Sequence, residues 1–221
     1  MKNTERQIKA ITNDYHFGIE VEMTGITRKN AAELTSEFFG TASPQRRFDI
    51  YDTWFVYDSM GREWKFARDC SIRSSESMQC ELITPILDYS DIPTLQELLQ
   101  LLKHHGAIST PSYGCGVHIH VSRKDGFAVK DIKNMVNIMA AHEKQLAKAI
   151  GIASARLRKY CKVVDKGFLD LMHKSNPQTM MELEDLWYES QDGSYDRQDH
   201  YNYTRYHALY AEYKNYAEKL L

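Results

Sequence analysis

The sequence predicts an α+β fold, a mainly antiparallel sheet with flanking helices. Two kinds of observation carry this. Short segments alternate apolar and polar residues with the two-residue period of half-buried strands, one pair of them split by a tight turn. Among them lie longer segments with apolar residues at helical spacing, bounded by capping residues.

The elements follow in order. Tyr15 to Thr24 alternates cleanly and reads as a strand. Thr27 can cap a helix from about Arg28 to Phe39, and Gly40 can end it. Tyr51 to Asp58 and Arg62 to Arg68 are rich in aromatics and flank Ser59-Met60-Gly61, which predicts a hairpin. Met78 to Thr84 is a further strand, stopped by Pro85. Asp91 can cap the next helix, with Pro93 in its first turn, Leu95, Leu98, Leu99 and Leu102 as its buried stripe and Gly106 at its end. Gly116 to Ser122 is a strand, and Val129 to Ile150 a long helix with Ile132, Met135, Val136 and Met139 on one face. Asp165 to His173 and Thr179 to Tyr188 are short amphipathic segments. Gln191 to Tyr203 reads as a Tyr-rich loop and Ala208 to Leu221 as helix.

The 221 residues are expected to form a single domain, with a mostly helical insertion at about 125–190. A hydrophobic content of 43% suffices for a core, and a net charge of −2 offers no general argument for nucleic-acid binding. No stretch approaches the ~20 apolar residues of a membrane span. The polar N-terminus has no signal-like apolar run. Four cysteines without CxxC spacing read as free thiols, so the expected location is the cytoplasm, with no membrane and no nucleic-acid partner.

Two strands bear unusual side chains. In a strand, residues i and i+2 point the same way, roughly 6.6 Å apart. Glu20 and Glu22 therefore share one face, with Phe17, Ile19, Val21 and Met23 on the other. His118 and His120 share a face, and Val117, Ile119 and Val121 are expected to fill the opposite, buried one. Packing needs no such polar pairs, whereas a divalent metal does. The ordinary reading of Glu20 and Glu22 is a solvated face, but Gly18 before them suggests close approach of a ligand or backbone. Glu81 is one charge in an apolar strand: an edge strand's outward charge, or a third carboxylate if that strand lies beside the first. Three carboxylates favour Mg²⁺ or Mn²⁺, whereas the His-x-His pair is also shared by zinc hydrolases. Lys65 reads as a surface lysine or a phosphate contact. Arg158, in a basic cluster with Arg156, Lys159 and Lys162, and Arg205, between Tyr203 and Tyr206, are candidate anion contacts. No phosphate-binding glycine loop of either common type occurs, so a nucleotide would have to be held by a sheet face, metal ions and scattered cations.

Taken in order, Phe17-Gly18-Ile19-Glu20-Val21-Glu22, Trp64 through Asp69-Cys70-Ser71-Ile72, Glu81-Leu82-Ile83-Thr84-Pro85, Cys115-Gly116-Val117-His118-Ile119-His120-Val121, Arg158-Lys159-Tyr160-Cys161 and Arg205-Tyr206-His207-Ala208-Leu209 resemble the amidoligase family over roughly 15–209. The resemblance implies a sheet of glutamine-synthetase or glutamate–cysteine-ligase type, and ATP- and Mg²⁺-dependent joining of a carboxylate to an amine through an acyl phosphate. It implies that Glu20, Glu22 and Glu81 hold Mg²⁺. It places His118 and His120 along the nucleotide and metal cleft, with Lys65 and Arg158 as further nucleotide contacts. Glu81 and Arg205 take the catalytic roles, Arg205 facing phosphate or the acyl phosphate. The substrate would be a small molecule or peptide bearing the reacting carboxylate and amine.

The chain departs from the family after Leu209, where a further strand with a Glu-Phe-Arg motif is replaced by Tyr210 to Leu221. The expectation is a shortened member, or a site completed by another chain, with an open sheet edge that favours a homo-oligomer. Two alternatives to the ligase stand beside it: a catalytically degenerate binding protein of the same fold, and a metal-dependent hydrolase using His118 and His120.

Overall fold

Alternation in Tyr15–Met23 (β1) puts Val21 and Met23 into the core and turns Glu20 and Glu22 to the other side of the sheet. The computed structural model describes residues 14–152, 154–159 and 162–192 of the chain, and they divide into two compact units at 125/126.

In the first unit, Thr27 caps helix α1 (Arg28–Phe39) by accepting from the Asn30 N–H, and Gly40 ends it at φ +64°, a left-handed conformation open to glycine at little cost. Strand β2 (Gln45–Arg46) is two residues long and was not foreseen; it pairs with β3 (Trp54–Tyr57). The predicted hairpin is β3 with β4 (Glu63–Ala67). Strand β5 (Cys80–Ile83) follows a 3-10 turn over Glu76–Met78, and helix α2 (Ile92–His104) precedes β6 (Val117–Arg123). All pairings are antiparallel, in the spatial order β2-β3-β4-β5-β1-β6.

The sheet packs one face on α1 and α2. Val21, Met23, Val56, Trp64, Phe66 and Leu82 meet Ala31 and Ala32 of α1 and Leu95, Leu98 and Leu102 of α2. At roughly 25 cal/mol per Å² of apolar area, this face is the main source of stability. Leu99, expected in the stripe, is half-buried.

Two side-chain networks hold the loops. Buried Arg28 donates to the carbonyls of Asp52, Glu76 and Gln79 and to the Asp52 carboxylate at 2.6 Å. It thereby ties the β2–β3 and β4–β5 loops to α1. Asp58 accepts from Arg62 and from the Trp64 indole, while Arg62 also grips Asp91 at 2.7 and 3.0 Å. Asp91 is thus used differently from the expected helix cap. It makes no side-chain cap bond to α2, and instead accepts from Arg62 and from the Asp88 N–H. A bidentate guanidinium is the stronger partner for a carboxylate.

A second correction concerns β6. Val117, Ile119 and Val121 are 55%, 66% and 54% exposed, not buried. Among the described residues β6 is an edge strand, and the first unit's core ends at the residues of β1.

In the second unit, α3 (Val129–Ala149), α5 (Lys166–Ser175) and α6 (Met180–Asp192) share a core of Ile132, Val136, Phe168, Met172, Leu183 and Trp187, preceded in the chain by the short α4 (Ser154–Lys159) for α5 and α6. Phe168 and Trp187 meet edge to face at 4.8 Å between centroids. Both Glu143 carboxylate oxygens accept from the Val164 N–H. Helix α6 continues through Gln191 and Asp192, where a loop was expected. The remainder of that expected loop and the expected helix from Ala208 lie outside the described residues. No helix among the described residues is long and apolar enough to cross a membrane.

Arg28→Ala would leave four oxygen acceptors, one of them charged, without their donor. A loss of about 3–5 kcal/mol in denaturant unfolding is expected, with less than half recovered by Arg28→Lys, because a lysine ammonium cannot span the same fork of acceptors.

Candidate metal and nucleotide site

The core face fixes the opposite face. In the β1–β5 ladder Glu22 stands directly across from Glu81, and in the β1–β6 ladder Glu20 stands across from His118 and Gly18 from His120. Directly paired residues point to the same side of an antiparallel sheet. Five of the residues singled out in the sequence, Glu20, Glu22, Glu81, His118 and His120, therefore meet on one face of three adjacent strands. β5 is an interior strand, so Glu81 is no edge charge.

His118 Nδ1 lies 2.9 Å from one Glu20 oxygen and His120 Nε2 3.3 Å from the other. Glu22 is buried and one of its oxygens accepts from the Gly116 N–H at 2.7 Å. Two sets of three side chains each bring one ligand atom within 4.8 Å of the others: Glu20, Glu81 and His118, and Glu22, Asp69 and Glu81. Glu81 belongs to both.

Asp69 was not foreseen as a ligand. Ala67 pairs with Glu81 in the β4–β5 ladder, so the chain leaves β4 beside the cluster, and Asp69 follows two residues later. Its carboxylate also accepts from the Ser71 N–H at 2.7 Å, a local turn that the Asp69-Cys70-Ser71 sequence permits. That turn was the available signal, but aspartate turns are too frequent to single one out.

Other candidates fall elsewhere. Lys65 lies on the same sheet face, opposite Ile83, but its ammonium is 3.3 Å from Glu63. Arg158 is exposed on α4 of the second unit. Arg205 lies outside the described residues. A Cβ at Gly18 would sit 3.9 Å from Thr84 and Pro85, an ordinary contact, so no close backbone approach demands glycine there.

The electrostatics are those of a site built around positive charge. Burial drives the Glu81 carboxyl up to about 8, reinforced by the negative charges of Glu20, Asp69 and Glu22. Burial would also raise Glu20, but hydrogen bonds and charge from His118 and His120 outweigh it and hold Glu20 at about 2. The hydrogen bond to Glu20 in turn raises His118. A carboxyl protonated near neutrality among three other carboxyls is what a cation would replace. Oxygen donors with one imidazole suit Mg²⁺ or Mn²⁺ better than a soft metal. The residues present therefore fit a divalent ion.

A family model described as "Putative amidoligase enzyme" matches residues 13–218. The chain belongs to this amidoligase family. No curated protein and no solved structure matched it. The match spans residues of both units, including the carboxylate face.

The pH dependence of stability follows from these groups. Glu81 binds its proton more tightly folded than unfolded. Its stabilisation is full below about 4.5 and is lost as pH rises through about 8. His118 acts in the same direction above its ordinary 6.5. Glu20 acts oppositely, its contribution being present above 4.5 and lost as pH falls through about 2. Melting temperature without divalent ions should therefore fall between about pH 5 and 8. Glu81→Gln should flatten most of that slope in a series of thermal melts. Mg²⁺ should restore the wild type most strongly at the alkaline end.

Proposed function

We propose that this amidoligase is an ATP- and Mg²⁺-dependent carboxylate–amine ligase that forms an amide bond through an acyl phosphate. The observation that carries the reading is the cross-strand pair Glu22–Glu81, flanked by Glu20, Asp69 and His118, in two overlapping ligand sets on one sheet face. Membership of the family supports the ligase chemistry.

Glu20, Glu81 and His118 would hold one Mg²⁺, and Glu22, Asp69 and Glu81 a second, sharing Glu81. Bound there, Mg²⁺ supplies the charge neutralisation that terminal phosphates need during phosphoryl transfer. The substrate carboxylate is already a nucleophile and needs no base. It attacks the γ-phosphoryl group, ADP leaves, and the acyl phosphate forms. The amine then attacks the acyl carbon and phosphate leaves. That second step requires a proton acceptor for the amine, and the histidine–glutamate group around Glu20 offers one. The hydrogen bond with His118 and the nearby His120 imidazole also fix the direction of the Glu20 carboxylate. Glu22 is held in position by the Gly116 N–H and offers a carboxylate oxygen to the cluster. Lys65 and Arg205 would add positive charge for phosphate. A glutamine-synthetase-type arrangement of the sheet fits this use of one face for phosphate and metal.

The closeness of both imidazoles to Glu20 also favours a second reading, a hydrolase with Zn²⁺ held by His118, His120 and Glu20. The two differ in what they bind. The ligase is stabilised by Mg²⁺ with ATP, the hydrolase by Zn²⁺ without nucleotide.

A ligand that binds only the folded state raises its stability by RT ln(1 + [L]/Kd), about 2.7 kcal/mol at a hundredfold excess over Kd. Thermal melts should show such a rise with Mg²⁺ and a non-hydrolysable ATP analogue together. Glu20→Gln with Glu22→Gln should abolish it; the unliganded variant gives up the Glu20 ion pairs with both histidines but should still unfold cooperatively, since a glutamine at position 22 can still accept from Gly116. Unchanged nucleotide affinity in that double variant would sink the site assignment. Asp69→Asn should weaken Mg²⁺ binding by about tenfold or more, the scale of a lost metal-site partner.

A further inference from the structure

The two edges of the sheet differ in kind. The β2 edge is two residues long, follows Pro44, and is crowded with charge. Arg46 pairs with Asp52, and the adjoining Arg47 with Glu63. Shortness, proline and charge are the usual means of preventing strand addition.

Over Val117–Val121 the β6 edge is long and has no proline, and its two histidines are turned to the sheet face where Glu20 pairs with both. Hydrogen bonds from the Glu22 N–H to the Gly116 carbonyl and from the Lys124 N–H to the Asp14 carbonyl bracket the β1–β6 ladder. Even-numbered residues of β6 therefore turn their main-chain groups toward β1, and odd-numbered ones turn theirs outward. Val117, Ile119 and Val121 thus present their N–H and C=O groups along the open edge. They make no such bond to any described residue outside β1. Their side chains are also the exposed apolar row of this strand.

We propose that the β6 edge is a docking surface for a second copy of this chain, the two β6 strands pairing antiparallel about Ile119. The segment is self-complementary in that register. Ile119 pairs with its own copy, Val117 with the copy's Val121, and His118 with the copy's His120. Every apolar side chain then meets an apolar one, and each histidine meets a histidine. The pairing residues Val117, Ile119 and Val121 are those whose main-chain groups point outward, so about six interchain hydrogen bonds form. A shift by two residues one way would place Val117 opposite Arg123, and the other way would call on Cys115, whose N–H already donates to the Thr110 carbonyl. The twofold axis stands perpendicular to the sheet, so the two carboxylate faces lie on the same side of one continuous sheet.

A single strand pair gives an interface at the low end of stable ones, below about 1,200 Å², so the dimer is expected to be concentration-dependent. Sedimentation of the full chain over about 1–200 µM would show monomer passing to dimer. Ile119→Lys puts a charge at the centre of the edge and should raise the dissociation constant at least about tenfold without lowering the melting temperature of the monomer. Ile119→Cys reads the register. Its Cα would lie about 5.5 Å from its copy's, within the span a disulfide bridges. Position 121 would lie at least about 13 Å from its own copy. Mild oxidation should therefore cross-link Ile119→Cys and leave Val121→Cys at the wild-type background set by the native cysteines. A monomer at every concentration, a dimer unaffected by Ile119→Lys, or equal cross-linking at both positions would each overturn the proposal.

Discussion

Like charges directly opposite each other in an antiparallel sheet repel, and Glu22 and Glu81 stand in that relation across β1 and β5. Glu20 and Asp69 add to the same field. No local preference of the chain produces this arrangement. It persists because the register of β1 and β5 is set on the opposite face, where Val21, Met23, Cys80 and Leu82 are buried under α1 and α2. Slipping either strand by one residue would turn those side chains to solvent and the carboxylates into the core. The apolar face therefore holds the acidic face in a conformation it would not choose. The remaining repulsion is relieved by a proton on Glu81 or by a bound cation.

The surroundings keep that face rigid. Arg28 collects three carbonyls and a carboxylate from the β2–β3 and β4–β5 loops. The loop after β4 carries Asp69, so the clamp bears indirectly on the ligand set. On the other flank, Asp58, Arg62, Trp64 and Asp91 join the β3–β4 hairpin to the start of α2. Both networks use arginine, whose fixed fork can satisfy several acceptors at once. A site that must distinguish a loaded from an empty state by a few kcal/mol needs such support, because its geometry cannot be left to flexible loops.

The histidine pair sits at the border between this rigid face and an open edge. Its partner Glu20 is on an interior strand, while His118 and His120 are on the last one. A second strand laid against β6 would extend the ligand-bearing face beyond the histidines. It would also set a second apolar row beside the one behind them. Edge pairing and the candidate site are thus coupled through the same three or four residues, although either can be tested without the other.

Much of the first unit was legible in the sequence because its signals are local. Period-two alternation located β1, β5 and β6, Thr27 and Gly40 located the ends of α1, and the Ser59-Met60-Gly61 turn located the hairpin. The same alternation put Glu20 with Glu22 and His118 with His120. Local pattern cannot say which strands are neighbours. Tertiary structure alone placed β5 beside β1, which makes Glu81 a partner of Glu22, and brought Asp69 to the pair from a loop. It also decided that β6 is an edge, so that an apolar row expected to be buried faces outward, and that Asp91 serves Arg62 instead of capping its helix. Alternation specifies two faces for every strand. Which face is covered, and by what, depends on residues distant in the chain.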